Sequence, residues 1–170
     1  MKPLAMPIDR RSLLLSAAAL TACSAAPAAS TAKAGTDRYA ASPWRKLTEA
    51  DWQKRLPPPS FQVLRQQGTE LAFSSPLNNE HRHGTFVCLG CGLPLFKSEW
   101  KFDSGTGWPS FYTETPGALG KQSDFQIVEE RTEYHCAQCL GHQGHVFNDG
   151  PRPTGLRYCN NGVALKFIPA

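Results

Sequence analysis

At 170 residues the chain has room for one folded domain plus a leader and a tail, and its hydrophobic share of 41% with 10% aromatics is that of a globular protein. The formal net charge of +4 falls to +2 once Lys2, Asp9, Arg10 and Arg11 of the leader are set aside, so charge gives no bias towards nucleic acid. No internal segment is long and apolar enough for a membrane span.

Residues 1–22 read as an export signal. "DRRSLLLSAAALTAC" has a basic start, a short apolar run and small residues at its end. Arg10-Arg11 before Ser12-Leu13-Leu14 resembles the twin-arginine type, with a plain secretory signal as the alternative. "LTAC" at 20–23 resembles a lipobox. A lipidated Cys23 would tether the protein to a membrane surface; cleavage near "SAAPAAS" would release it instead. Either route expects an exported protein, in the bacterial periplasm or anchored facing it. Residues 23–42 are rich in Ala, Ser, Thr and Pro and read as a flexible tether. The folded domain is expected over 43–170.

Two helices open it. In "LTEADWQKRL", Thr48 is the candidate N-cap with Asp51 three residues on, and "LPPP" stops the helix. "SFQVLRQQG" starts at Ser60 and stops at Gly68. Trp44, Trp52, Leu56, Phe61 and Leu64 should face the body of the domain. From Gly84 the pattern becomes "TFVCLGC", "LPLF", "FQIVEERTEYHC", "GHVF" and "VALKFI", short β-type runs between glycine and proline turns. The expected class is mainly β, an antiparallel core with helices at one side.

Cys88 and Cys91 form one Cys-x-x-Cys knuckle, and Cys136 and Cys139 the other. Two thiolates three apart on a tight turn converge on one ion, and four suit a tetrahedral, structural Zn²⁺ with no open position. Two readings compete. An exported protein can form disulfides instead, and Cys136, Cys139, His142 and His145 are spaced to hold an ion by themselves.

Cys159, in "RYCNNG", is then the remaining thiol of the folded part. A free cysteine is often a small buried hydrophobe. Its neighbours favour chemistry: on a strand Arg157 shares its face and would lower the thiol pKa. Asn161, on that face too, can hydrogen-bond a reacting oxygen. "GHQGHVFND" supplies His142, His145 and Asp149, either structural or partners in cysteine chemistry. A flat strand would send the two histidines to opposite faces, and Gly144 could bend it. "SGTGWPSF" adds Trp108 and Phe111, with Trp108 as core or as a pocket wall.

"FDSGTGWPSF", "GHQGHVFNDGPRPTGLRYCNN" and the two knuckles resemble the peptide methionine (R)-S-oxide reductase family, the B type, over roughly residues 44–168. The resemblance implies two antiparallel β-sheets with short helices, one structural Zn²⁺, and a catalytic Cys159 surrounded by His142, His145, Asp149, Arg157 and Asn161. It makes Trp108, with Phe111, the wall that receives the S-methyl group of the substrate. The implied partners are oxidised proteins or peptides carrying Met-(R)-sulfoxide and a thioredoxin-like or low-molecular-weight thiol reductant, with the protein a monomer. Many family members have a cysteine between the glycines of the loop, and here Thr106 stands there, so Cys159 sulfenic acid is expected to be reduced by an external thiol. "CNN" departs from the usual apolar residue before the asparagine, and Asn160 is expected to point away with little effect. A zinc-stapled β domain that only binds a partner is the rival; a zinc-ribbon nucleic-acid binder would need a basic stripe, which is absent.

Overall fold

In the computed structural model, residues 37–125 and 130–170 are described. The export signal, Cys23, most of the tether and 126–129 of "FQIVEERTEYHC" lie outside them.

The first helix, α1 (Glu49–Arg55), begins where the sequence places it. Asp51 N donates to Thr48 Oγ1 at 3.2 Å and Thr48 N donates to Asp51 Oδ2 at 3.0 Å, so each residue satisfies the other's otherwise orphaned amide. The second, α2 (Pro58–Gln66), starts two residues before Ser60, because Pro58 supplies helical φ where its missing N–H costs nothing. It closes on Gln67 at φ 54°, not on Gly68, whose amide instead donates back to Gln62 O at 3.0 Å. Trp52, Leu56, Phe61 and Leu64 are buried, and Trp44 packs half-buried on Trp52 with ring centroids 5.9 Å apart.

Among the described residues, nine strands form two antiparallel sheets. The smaller joins β1 (Gly84–Cys88), β2 (Pro94–Lys97) and, at the far end of the chain, Leu165–Pro169, in the order β2, β1, Leu165–Pro169. The larger contains β3 (Lys101–Phe102), β4 (Ser110–Phe111), β5 (Leu119–Asp124), β6 (Arg131–Cys136), β7 (His142–Phe147) and β8 (Arg157–Asn160), in the order β3-β4-β8-β7-β6-β5. Leu165–Pro169 is then β9. This is the mainly β, two-sheet architecture expected. Aromatic rings fill the space between the sheets: Phe96 of β2 stacks on Phe111 of β4 at 4.1 Å between centroids, and Phe86 of β1 meets Phe111 edge-on at 5.0 Å. Tyr134 and Tyr158 extend the cluster. Each such pair adds about 0.5–1.5 kcal/mol beyond the area it buries.

Candidate active site

Cys159 sits on β8, directly across from Ser110 on β4 and from His145 on β7. The central position of β8 brings these three segments of chain together. On β7 the pairing with β6 shifts by one residue, Gly144 opposing Tyr134 and His142 opposing His135, so Gln143 is the extra residue of a β-bulge. The bulge brings His142 and His145 to within 5.5 Å between ring centroids. Thus the bend expected at Gly144 lies at Gln143. Gly144 is needed for a different reason. A Cβ there would fall 2.0 Å from Cys159 O, so only glycine lets β7 and β8 approach this closely.

A cavity of about 130 Å³ opens over the thiol, lined by Trp108, Phe147, Thr69, Arg131, His145, Cys159 and Asn161 among others. Trp108 Nε1 donates to Glu70 O at 3.2 Å, which fixes the indole edge. Glu70 N donates to Asn161 Oδ1 at 3.0 Å, and the Glu70 carboxylate accepts from Gly162 N and Val163 N. One residue therefore ties the pocket wall to the segment after β8. A second polar cavity, also about 130 Å³, lies alongside and is lined by Asp124, Glu133, His142 and His145.

Carboxylates orient both imidazoles. His145 Nε2 donates to Asp124 Oδ2 at 2.7 Å, and Arg131 donates to the same oxygen at 2.7 Å. His142 Nδ1 donates to Glu133 Oε1 at 2.8 Å, while His135 Nδ1 donates to Oε2 at 3.1 Å. Burial pushes His145 below the ordinary histidine pKa, against the opposing hydrogen bond to Asp124. Burial would raise Glu133, but hydrogen bonds from His135 and His142 outweigh it and hold the carboxyl at about 2. His142 Nε2 is buried without a hydrogen-bond partner among the described residues.

Four expectations change. Asp149 touches neither histidine: its carboxylate takes Arg157 Nε and Nη2 at 2.8 Å each, a bidentate pair that aims the guanidinium. Arg157 does favour the thiolate, yet burial of Cys159 outweighs it and the thiol pKa is raised. Phe111 is fully buried in the aromatic core and lines no part of the cavity over Cys159. Asn160, expected to point away with little effect, is among the residues lining the cavity over Cys159 and is not a bystander. Fully buried, it accepts from Tyr134 Oη at 2.9 Å and donates to Asn161 O at 2.8 Å and Gln143 Oε1 at 3.4 Å. Sequence reasoning missed Asp124, Glu133, Glu70, Thr69, Arg131 and Phe147. Only Phe147, inside "GHVFND", sat close enough to a flagged histidine to be found.

The other four thiols converge. All four sulfurs of Cys88, Cys91, Cys136 and Cys139 lie within 4.8 Å of one another, with Cys88–Cys139 at 3.6 Å and Cys91–Cys136 at 3.5 Å. Sulfurs bound tetrahedrally to one zinc stand about 3.8 Å apart, so this quartet fits a Cys₄ ion cage. All four are free thiols, which disfavours the disulfide reading. Among the described residues the four cysteines are the group whose ligand atoms converge, and the rival set Cys136, Cys139, His142 and His145 does not.

The SelR domain model matches residues 56–169. The chain belongs to the SelR family. Proteins named MsrB are similar to it over most of their length. A peptide methionine sulfoxide reductase MsrB of Leptospira interrogans serogroup Icterohaemorrhagiae serovar Lai is 53% identical over 121 residues, which cover 71% of this chain and 92% of that protein. MsrB of Thiobacillus denitrificans is 49% identical over 72% of this chain and 93% of its own length. MsrB of Agrobacterium fabrum is 46% identical over 75% and 96%. The SelR match covers both knuckles, the Trp108 loop and β8, so the two clusters just described fall within the family domain.

Proposed function

We propose that this SelR-family chain reduces the R epimer of methionine sulfoxide in oxidised polypeptides, with Cys159 as nucleophile. The observation that carries the reading is the placement of one thiol beneath the Trp108 and Phe147 walls and directly across the strand from an oriented imidazole. The apolar rings take the S-methyl group and leave the sulfoxide oxygen on the polar side, near His145.

The pKa directions set the starting state. A thiol pushed up and a histidine pushed down are both neutral at pH 7. Cys159 Sγ attacks the sulfoxide sulfur and forms an S–S bond while its proton passes through His145 to the sulfoxide oxygen; the hydroxyl then shifts to Sγ as the S–S bond and the substrate S–O bond break. Methionine departs and Cys159 becomes sulfenic acid: sulfoxide plus thiol gives thioether plus sulfenic acid, with no atom unassigned. Two external thiols then return Cys159 to the thiol, releasing water and their own disulfide. Thr106 cannot form the internal disulfide, and the other thiols among the described residues form the four-sulfur cluster.

Zn²⁺ is the ion the four thiolates suit best, and when bound it supplies a structural staple and no chemistry at Cys159. For the leader, "DRRSLLLSAAALTAC" supports export, with Cys23 lipidated. Cell fractionation and the mass of the mature N-terminus check this.

The deciding assay offers both epimers of a peptide sulfoxide with dithiothreitol as reductant. Reduction of the R epimer alone, abolished in Cys159→Ser, is the expected result. Inactivity towards both epimers in folded, zinc-loaded protein would favour a binding module instead. Mass spectrometry after one turnover should find sulfenic acid at Cys159 and no disulfide containing it.

A further inference from the structure

The loop position that lacks a second thiol carries a hydroxyl on the side of the first. Burial raises the Cys159 pKa, and against it work Arg157 and the Thr106 hydroxyl. Thr106 is held there by a row of hydroxyls: Thr106 Oγ1 lies 2.9 Å from Ser104 Oγ, and Ser104 Oγ lies 2.8 Å from Ser110 Oγ. Ser110 Oγ donates to Trp108 O at 3.1 Å. Ser110 is fully buried and is the cross-strand partner of Cys159. The loop itself is pinned. Phe73 N donates to Gly107 O at 2.7 Å, and a Cβ on Gly107, at φ 91°, would meet Phe73 N at 2.8 Å.

Counting protons along this row gives it a direction. Four links join Cys159, Thr106, Ser104, Ser110 and the Trp108 carbonyl, and each hydroxyl brings one proton. With Cys159 as a thiol, four protons serve four links, and every donor points from the sulfur towards Trp108. Once the thiol proton has left for His145, three protons remain for four links. The sulfur, now charged, is the strongest acceptor in the row. Thr106 then turns its O–H to sulfur, Ser104 donates to Thr106 and Ser110 to Ser104. The link left unmade is the neutral one to Trp108 O.

The other charged and titratable groups around the sulfur are Arg157 on its own strand, with Asp149 bound to it, His145 on β7, and Arg131 and Tyr134 on β6. Arg157 is spent in part on Asp149, and Arg131 on Asp124. A neutral donor aimed at the sulfur has room to matter beside them.

We propose that Thr106 is a catalytic residue, donating a hydrogen bond to the Cys159 thiolate through a reversible row of hydroxyls formed with Ser104 and Ser110. This rests on Cys159 being the nucleophile, and it assigns the threonine a positive role where the sequence shows only a missing cysteine.

The test is the pH profile of iodoacetamide alkylation at Cys159 in the full-length chain, read by peptide mass spectrometry. Thr106→Val should slow alkylation roughly tenfold at pH 7 and move the profile to higher pH, as loss of one donor to a charged acceptor requires. Thr106→Ser should restore it, and Ser104→Ala should move it the same way by less. Thr106→Ala stands in if the valine variant does not fold. A wild-type profile in the valine or alanine variant, failure of folded Thr106→Ser to restore it, or no shift in Ser104→Ala overturns the proposal. Alkylation needs no sulfoxide, so the proposal can fail in an active reductase and can hold in a chain that reduces nothing.

Discussion

Residue types and short spacings make Cys159, Trp108, Arg157 and the zinc-type knuckles legible in the sequence, because each carries its chemistry in its own side chain. Asp124 and Glu133 are not legible there. No local signal separates a carboxylate that meets an imidazole across a sheet from one that faces solvent. Their effects are testable. Removing the hydrogen bond to Asp124 removes an influence that raises the His145 pKa, so Asp124→Asn should lower it further and move the acid limb of kcat/KM to lower pH. NMR titration of the ring checks the assignment. Glu133 works at the acid end of the scale. Its pKa is depressed, so it adds stability at pH above the ordinary carboxylate value and loses that contribution as pH falls towards 2. Urea denaturation between pH 7 and pH 3 should show a decline that Glu133→Gln flattens. Asn160→Ala leaves Tyr134 Oη and the Gln143 amide without their buried partner, and should cost about 2–3 kcal/mol in the same measurement.

At the scale of elements, what the sequence revealed depended on whether an element is specified by its own residues or by its neighbours. Helix α1 is specified locally, by Thr48 and Asp51, and its start was predictable; Thr48→Ala should cost about 1 kcal/mol. Strand β5, "LGKQSD", has no apolar alternation and is held by six consecutive pairings with β6, so nothing in its composition announces it. Strands β3 and β4 have two residues each, too few for any period. The bulge at Gln143 is the element-level feature on which the site depends, since it alone puts both histidines on one side of β7. Gly144→Ala would drive a methyl group into the Cys159 carbonyl. It should weaken the β7–β8 pairing and reduce activity by at least tenfold, with stability falling in parallel. A fully active, fully stable variant would show that the strands can separate at no cost to the site.

For the whole molecule the four-thiol cluster matters most, because of where its members come from. Cys88 ends β1 in the smaller sheet and Cys91 follows in the next turn, while Cys136 ends β6 in the larger sheet and Cys139 follows it. An ion held by all four fastens one sheet to the other beneath the aromatic core. A polar path leads from there to β8, the strand that carries Cys159. Gln143 Nε2 donates to Cys88 Sγ at 3.4 Å, Gln143 Oε1 accepts from Asn160, and Gln143 O accepts from Asn161 N and Nδ2 at 2.9 Å and 3.0 Å. Chelation should therefore act twice. It removes the fastening between sheets, lowering Tm by about 10 °C or more, and it frees Gln143 from the thiolate that orients it. Gln143→Leu separates the two effects, since it leaves all four thiols in place. It should keep its bound metal by elemental analysis and most of its Tm, yet lose activity several-fold because β8 and Asn161 are less firmly placed. Unchanged turnover in a Gln143→Leu protein that keeps its metal would mean that the staple and the site are independent.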